Sequence, residues 1–378
     1  MINYSFIKTV LKVMTIILAI ATGLIVLLLA ALLFLSPGKP IGFTDNSGNP
    51  LEGSISEKTF MNIGGVQQGM IIRSKNTQNP VLLYIHGGPG FPNYFLIEKF
   101  NPGLEDYFTV CYWEQRGGGL SFTPEVSVES MTLEQLTADA IEVTNYLRKR
   151  FEKEKIFMLA HSGGTTIALK AAANAPSLFY AYIAMAQITN QTQSERIAYQ
   201  FILEEYKTRG NLKAIDKLQQ FNGLVDDSSV LNFYQSGLRD QAMHDLGIGT
   251  MHKMKSVFWE IFLPVWTCRA YTLNEKFKIW KSKFTFLPKT NLNTQLLSTD
   301  FGSEFPLLEI PVYFFSGKYD LTVNVDLSHK YFEKLNAPIK AFYTFENSAH
   351  SPLFEEPLRF RKILESDILP LALHDAGS

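Results

Sequence analysis

The sequence predicts an α/β protein: a mostly parallel sheet flanked by helices, with an inserted helical cap and a transmembrane helix at the N-terminus. Three observations carry this. Apolar runs of five to seven residues alternate with helical stretches, the pattern of strands buried on both faces. About 120 residues between Gln187 and Ile310 read as helix, far more than a strand-to-strand crossover requires. Val13–Leu35, "VMTIILAIATGLIVLLLAALLFL", carries no charge.

As a helix, Val13–Leu35 is about 34 Å long, enough to cross a hydrocarbon core of roughly 30 Å. It is apolar all round rather than on one face, which does not fit a helix packed on a soluble core. It also exceeds the apolar core of a cleaved signal peptide, and its end, "LLFLSPG", has no A-x-A-like site. The reading is an uncleaved single-pass anchor in a lipid bilayer. Lys8 and Lys12 precede it and Lys39 follows, which favours a cytoplasmic N-terminus and puts the rest of the chain on the non-cytoplasmic side.

The expected organisation is an anchor at 1–36, a Gly/Pro/Ser/Asn-rich linker at 37–56, a first core segment at 57–186, the cap at 187–309 and a second core segment at 310–378. A hairpin is expected from Lys58–Asn62 and Gly69–Arg73. Strands follow at Val81–Ile85, Thr109–Trp113, Lys155–Ala160, Tyr180–Ala186, Pro311–Phe315 and Lys340–Phe345. Helices are expected at Leu133–Arg150 and Thr165–Ala175.

With 35 Lys and Arg against 36 Asp and Glu, and no basic stripe, nothing points to a nucleic-acid partner. Cys111 and Cys268 cannot cage a metal by themselves, and no CxxC or HExxH occurs, so no metal and no cofactor is expected.

The chemistry sits at strand ends. "KIFMLA" runs into Ala160-His161-Ser162-Gly163-Gly164 and then a helix, near the G-x-S-x-G pattern. A serine projecting from so sharp a turn needs small residues two before and two after it, and Ala160 and Gly164 are small. A nucleophilic serine needs a base, and the base an orienting carboxylate, in the chain order Ser, Asp or Glu, His. His350, in the polar loop "FENSAHSPLFEEP", is the histidine in the right place. Asp320, ending the turn "SGKYD" after a strand, is the matching acid; Asp326 and Glu346 sit further from the strand end. The glycines of "LLYIHGGPGFP" offer bare backbone N–H groups for the charge that develops on an attacked carbonyl oxygen. One such donor typically contributes about 2.7–4 kcal/mol. Gly88 and Gly163 are the expected oxyanion-hole donors, with His86, Pro89 and Gly90 shaping the loop.

"HGGPG", "WEQRGGGLS", the elbow, "SGKYD" and "SAHSPLFEEP" together resemble the α/β-hydrolase superfamily, and within it the prolyl iminopeptidase-like group. The resemblance implies the α/β-hydrolase fold with a helical cap. It also implies a serine hydrolase cleaving an amide or ester of a small-molecule or short peptide substrate, often as an aminopeptidase releasing N-terminal proline. It carries the catalytic roles onto Ser162, Asp320 and His350. Iminopeptidases of the group usually read Gly-Gln-Ser-Trp-Gly at the elbow and Asp-Gln-Arg-Gly earlier; here stand Gly163 for the Trp and Glu114 for the Asp. Cap carboxylates hold the substrate ammonium in the group, and Glu195, Glu204 and Glu205 are the residues expected to do so here. Arg116 reads as a structural fork. A carboxylesterase or lipase-like hydrolase is the alternative activity, and a non-catalytic binding protein on a hydrolase scaffold is the alternative from another class.

Overall fold

The computed structural model describes residues 4–88 and 90–375; residues 1–3, 89 and 376–378 lie outside it. Eight strands form one sheet: β1 (Ile55–Ile63), β2 (Val66–Ser74), β3 (Val81–Ile85), β4 (Thr109–Trp113), β5 (Ile156–His161), β6 (Phe179–Met185), β7 (Val312–Gly317) and β8 (Lys340–Phe345). Their order is β1-β2-β4-β3-β5-β6-β7-β8. The β1–β2 and β2–β4 pairs are antiparallel and all others parallel. The β1–β2 hairpin turns on Gly64-Gly65, both at positive φ (55° and 79°), which a two-residue hairpin of matching twist requires.

The central strands β3, β4 and β5 are buried at every position and apolar but for Thr109 and His161 at their ends, because both faces are covered. In β3, Val81, Leu83 and Ile85 pack toward α3 (Leu133–Arg150) and α4 (Gly163–Asn174). Leu82 and Tyr84 pack on the other face with Phe95 of α2 (Tyr94–Phe100) and with Phe360 and Leu364. The chain order places α1 (Tyr4–Phe34) before all of these, and no part of its apolar window is buried. At 1.5 Å per residue it is about 46 Å long, long and apolar enough to cross a membrane.

Residues 37–56 do not hang free as a spacer would. Lys39 N–H donates to Arg269 O, Ser56 Oγ to Ile41 O, and Thr77 N–H to Gly53 O. Asp45 Oδ1 accepts the N–H groups of Ser47 and Asn49. The Asn, Asp and Ser that mark the stretch as irregular are making turns against the body.

Between β6 and β7 the chain is helical. Here lie α5 (Gln191–Thr208), α6 (Leu212–Gln219), α7 (Asp227–Tyr234), α8 (Gly237–Asp245), α9 (Leu263–Thr267), α10 (Leu273–Lys281), α11 (Leu292–Ser298) and α12 (Phe301–Glu304). Asn190, Asn211, Asp226, Ser236 and Thr272 each accept a backbone N–H at a helix start, so the sequence itself sets these boundaries. Helices α5 to α8 bury a core of their own around Tyr199, Ile202, Phe233 and Met243.

Two polar groups tie the layers. Arg116 forks onto Asp139 of α3 (2.8 and 3.0 Å) and donates to Gly64 O in the β1–β2 turn. Glu114 is buried and accepts from Tyr271 Oη (2.5 Å) and Leu120 N–H (2.6 Å), joining β4 to the start of α10. Burial pushes its carboxyl from 4.5 up to about 7. Across that interval the folded chain retains a proton that the unfolded chain has released. The stability this lends is complete at low pH and is lost as pH rises through about 7. The melting temperature is therefore expected to fall from about pH 5 to about pH 8 more steeply than that of Glu114→Gln. Parallel curves for the two proteins would contradict it.

Candidate active site

Strand β5 ends at His161 and α4 begins at Gly163. Ser162 between them sits at φ 52°, ψ −124°, a conformation that side-chain-bearing residues rarely adopt. Its N–H donates to Met185 O (2.9 Å) and its carbonyl accepts from Thr165 N–H (2.8 Å), so the turn is held at both ends. A Cβ on Gly164 would lie 2.5 Å from the carbonyl oxygens of both Ile85 and His86, so only glycine lets α4 approach β3 this closely.

Asp320 and His350, 30 residues apart, meet: His350 Nδ1–H donates to Asp320 Oδ2 at 2.8 Å, with Asp320 1% exposed. The other oxygen, Oδ1, accepts from Val323 N–H (2.9 Å). The contact is built by the backbone. A Cβ at Gly317 would lie 1.8 Å from Ala349 O, so the turn after β7 passes directly under the loop carrying His350. That loop is fixed from several sides. His350 N–H donates to Gly249 O (3.2 Å), and Glu355 Oε1 accepts from Ala349 N–H (2.9 Å). The same carboxylate's Oε2 accepts from His252 N–H (2.6 Å). The Ser162 hydroxyl and His350 Nε2 have no hydrogen-bond partner among the described residues, and both residues line one cavity of about 820 Å³.

Two further imidazoles stand close by. His161 Nε2–H donates to His350 O (2.8 Å), and its ring centre is 4.8 Å from that of His350. His86 Nδ1–H donates to Gly87 O (2.8 Å), and its Nε2 accepts from Gln115 N–H (3.2 Å). Burial pushes His161 down to about 3 and His86 down to about 4, so both rings are neutral near neutral pH. His350 is the ring of the three that has a carboxylate partner.

Gly88 lines the cavity at φ 51°. Its carbonyl accepts from Phe91 N–H (2.7 Å), and Gln115 anchors the loop by accepting from Gly90 N–H and donating to His86 O. Pro89 lies outside the described residues. Among those described, no acceptor takes the N–H of Gly88 or of Gly163, so both donors at the elbow are free. Gly163 is buried as the first residue of α4 and does not itself line the cavity.

The three expected ammonium-binding carboxylates are not where that role needs them. Glu195 is fully buried on α5, and both its oxygens are taken by Arg239 (2.6 and 2.7 Å), which neutralises its charge. Glu204 and Glu205 lie on the outer face of α5, beside Lys207 and Arg209, and do not line the cavity. The carboxylates that line it are Asp240 and Asp245 of α8. Lys283 lines it too, its Nζ 4.2 Å above the Phe91 ring, and burial lowers its ammonium pKa. Sequence reasoning did not single out Asp240, Asp245, Lys283 or His161 as lining the cavity. For His161 the signal was available, since it sits within the elbow; for the others no local pattern marks which helix face turns inward.

A mostly parallel sheet, a strained serine at a strand–helix junction and a buried Asp–His pair at neighbouring strand ends define an α/β-hydrolase. The chain belongs to that family: the model of the alpha/beta hydrolase fold matches residues 80–357. It is 32% identical over 316 residues to the probable aminopeptidase YbaC of Bacillus subtilis (strain 168), covering 83% of this chain and 97% of that protein. Solved structures share its fold. The proline iminopeptidase of Mycobacterium smegmatis aligns with a TM-score of 0.60 at 15% identity, over 85% of this chain and 99% of the other. A proline iminopeptidase-related protein of Thermus thermophilus aligns with a TM-score of 0.53 at 16% identity, over 84% and 99%.

Proposed function

We propose that this enzyme is a membrane-anchored serine hydrolase that cleaves an amide or ester bond through an acyl-enzyme, as an aminopeptidase of the prolyl iminopeptidase-like kind. The observation that carries the reading is the 2.8 Å bond between His350 and buried Asp320, opening on the same cavity as Ser162. His350 Nε2 takes the Ser162 proton, and the serine oxygen attacks the carbonyl carbon. The N–H groups of Gly88 and Gly163 hold the oxyanion. His350 then protonates the leaving amine or alcohol, and water, deprotonated by the same ring, releases the acyl group. Asp320 fixes the ring's tautomer and stabilises its charged form.

Aminopeptidase activity is favoured by Asp240 and Asp245, carboxylates in the cavity wall, of which Asp240 shares Arg239 (3.2 Å) with Glu195, and by the likeness to a probable aminopeptidase. The test compares turnover of a proline anilide with that of a nitrophenyl ester, each against Ser162→Ala. Anilide turnover that vanishes in the variant is expected; ester turnover alone would transfer the protein to the carboxylesterases. For the anchor, α1 crosses the bilayer with Lys8 and Lys12 on the cytoplasmic side. Protease added outside sealed cells should then digest the hydrolase domain, and full protection would reverse that orientation.

A further inference from the structure

The cap carries an aromatic surface that the hydrolase chemistry does not use. Phe258, Trp259, Phe262, Phe277 and Phe284 are between 38% and 65% exposed, on the segments around α9 and α10. They are not scattered. Phe258 stacks on Phe262 (5.4 Å between ring centres), Phe262 meets Trp280 (5.2 Å), and Trp280 stacks on Phe284 (5.8 Å). At the other end Phe262 meets Trp266 (6.1 Å), and Trp266 meets Phe277 (5.1 Å). Rings so exposed and so contiguous are costly in water and mark a contact surface.

The position of this ridge identifies its partner. The membrane-length helix α1 ends against the same segment. Lys276 Nζ donates to Leu35 O (2.8 Å) and Ser36 Oγ (2.9 Å) at the end of α1, and to Trp266 O (2.7 Å) on the ridge. The Arg269 guanidinium lies 5.7 Å from the centre of the Phe34 ring. The ridge thus begins where α1 would leave the lipid. Its composition matches that depth: residues 253–289 hold three of the four tryptophans and, beside the buried Lys276, seven Lys or Arg against two Glu. Tryptophan rings favour the headgroup level, and lysine stems lie along apolar surface while the ammonium reaches anionic phosphates.

We infer that the Phe258–Phe284 ridge seats in the headgroup–acyl boundary of an anionic bilayer, as a second membrane contact beside the anchor. The inference rests on the reading that α1 spans that bilayer. Trp280 also packs on Phe91 (5.9 Å), which lines the active-site cavity with Val257 and Ile261. Seating the ridge therefore holds this wall of the cavity near the lipid surface rather than at the end of a tether.

Tryptophan emission reads this directly. Trp259, Trp266 and Trp280 belong to the ridge, Trp113 is buried in the sheet core, and α1 has no tryptophan. The full chain is reconstituted in vesicles of phosphatidylcholine and phosphatidylglycerol, with or without bromine on the upper acyl carbons. Brominated lipid is expected to quench the emission, and the double variant Trp259→Phe, Trp280→Phe to lose much of that quench. Protein that floats with the vesicles through an alkaline wash, yet is not quenched, overturns the inference and leaves the anchor standing. Protein that the wash strips from the vesicles overturns both.

Discussion

Replacing Ser162 with Ala is expected to lower kcat by roughly 10⁶-fold, the scale on which deletion of a serine nucleophile acts. The other hydroxyl at the elbow, on Thr165, donates to Ser162 O (2.6 Å) and does not line the cavity, and His161 is neutral and turned to His350 O. The effect should fall on kcat rather than on substrate affinity, because the cavity wall and the two free N–H donors are untouched. Stability should barely change. The φ of 52° strains alanine as it strains serine, and the N–H bond to Met185 O and the carbonyl bond from Thr165 remain. A variant that keeps more than a few per cent of the activity would remove Ser162 from the chemistry. One that melts far earlier would mean that the hydroxyl has a structural role.

Asp320→Asn is expected to cost about 10⁴-fold in kcat with the fold intact. The carboxylate does two things. Its Oδ2 accepts the Nδ1–H of His350, which leaves Nε2 as the lone-pair nitrogen facing the cavity, and its charge balances the imidazolium formed when that nitrogen takes a proton. An asparagine that keeps its oxygen on Val323 N–H turns its NH₂ toward His350, and the ring then carries its proton on Nε2. The base is lost although the geometry survives. The measurement is kcat over a pH range, with a melting curve beside it. Unchanged kcat would leave Asp320 as only a turn-stabilising residue, a job it also performs through Oδ1.

Much of this architecture was legible because it rests on local constraints. The runs of β3, β4 and β5 are apolar except at Thr109 and His161 on their ends, since both faces are covered, so their edges show in the sequence to within a residue or two. The elbow was legible because Gly164 has carbonyls 2.5 Å from where its Cβ would be. Asp320 and His350 were singled out by chain order and by their place in loops after strands, and they meet because β7 and β8, which those loops leave, are neighbours.

The cap resisted the same treatment. Glu195 could not be told from a substrate carboxylate because its partner, Arg239, lies 44 residues away on another helix. Pairing of that kind is a tertiary fact with no periodic trace. The stretch 37–56 reads as a linker for a related reason: turn-forming residues look alike whether the turn is free or, as here, bonded to Arg269 and Thr77. No pattern in the sequence marks the aromatics of 258–286 as exposed rather than buried in the cap.

The most direct test of the central claim is covalent. A fluorophosphonate probe reacts with a serine only where a base and an oxyanion site act on it together. Folded protein should be labelled at Ser162 alone, as mapped by peptide mass, with no label in Ser162→Ala or after denaturation. Folded protein that leaves Ser162 unlabelled would contradict the account and leave a hydrolase fold without its chemistry.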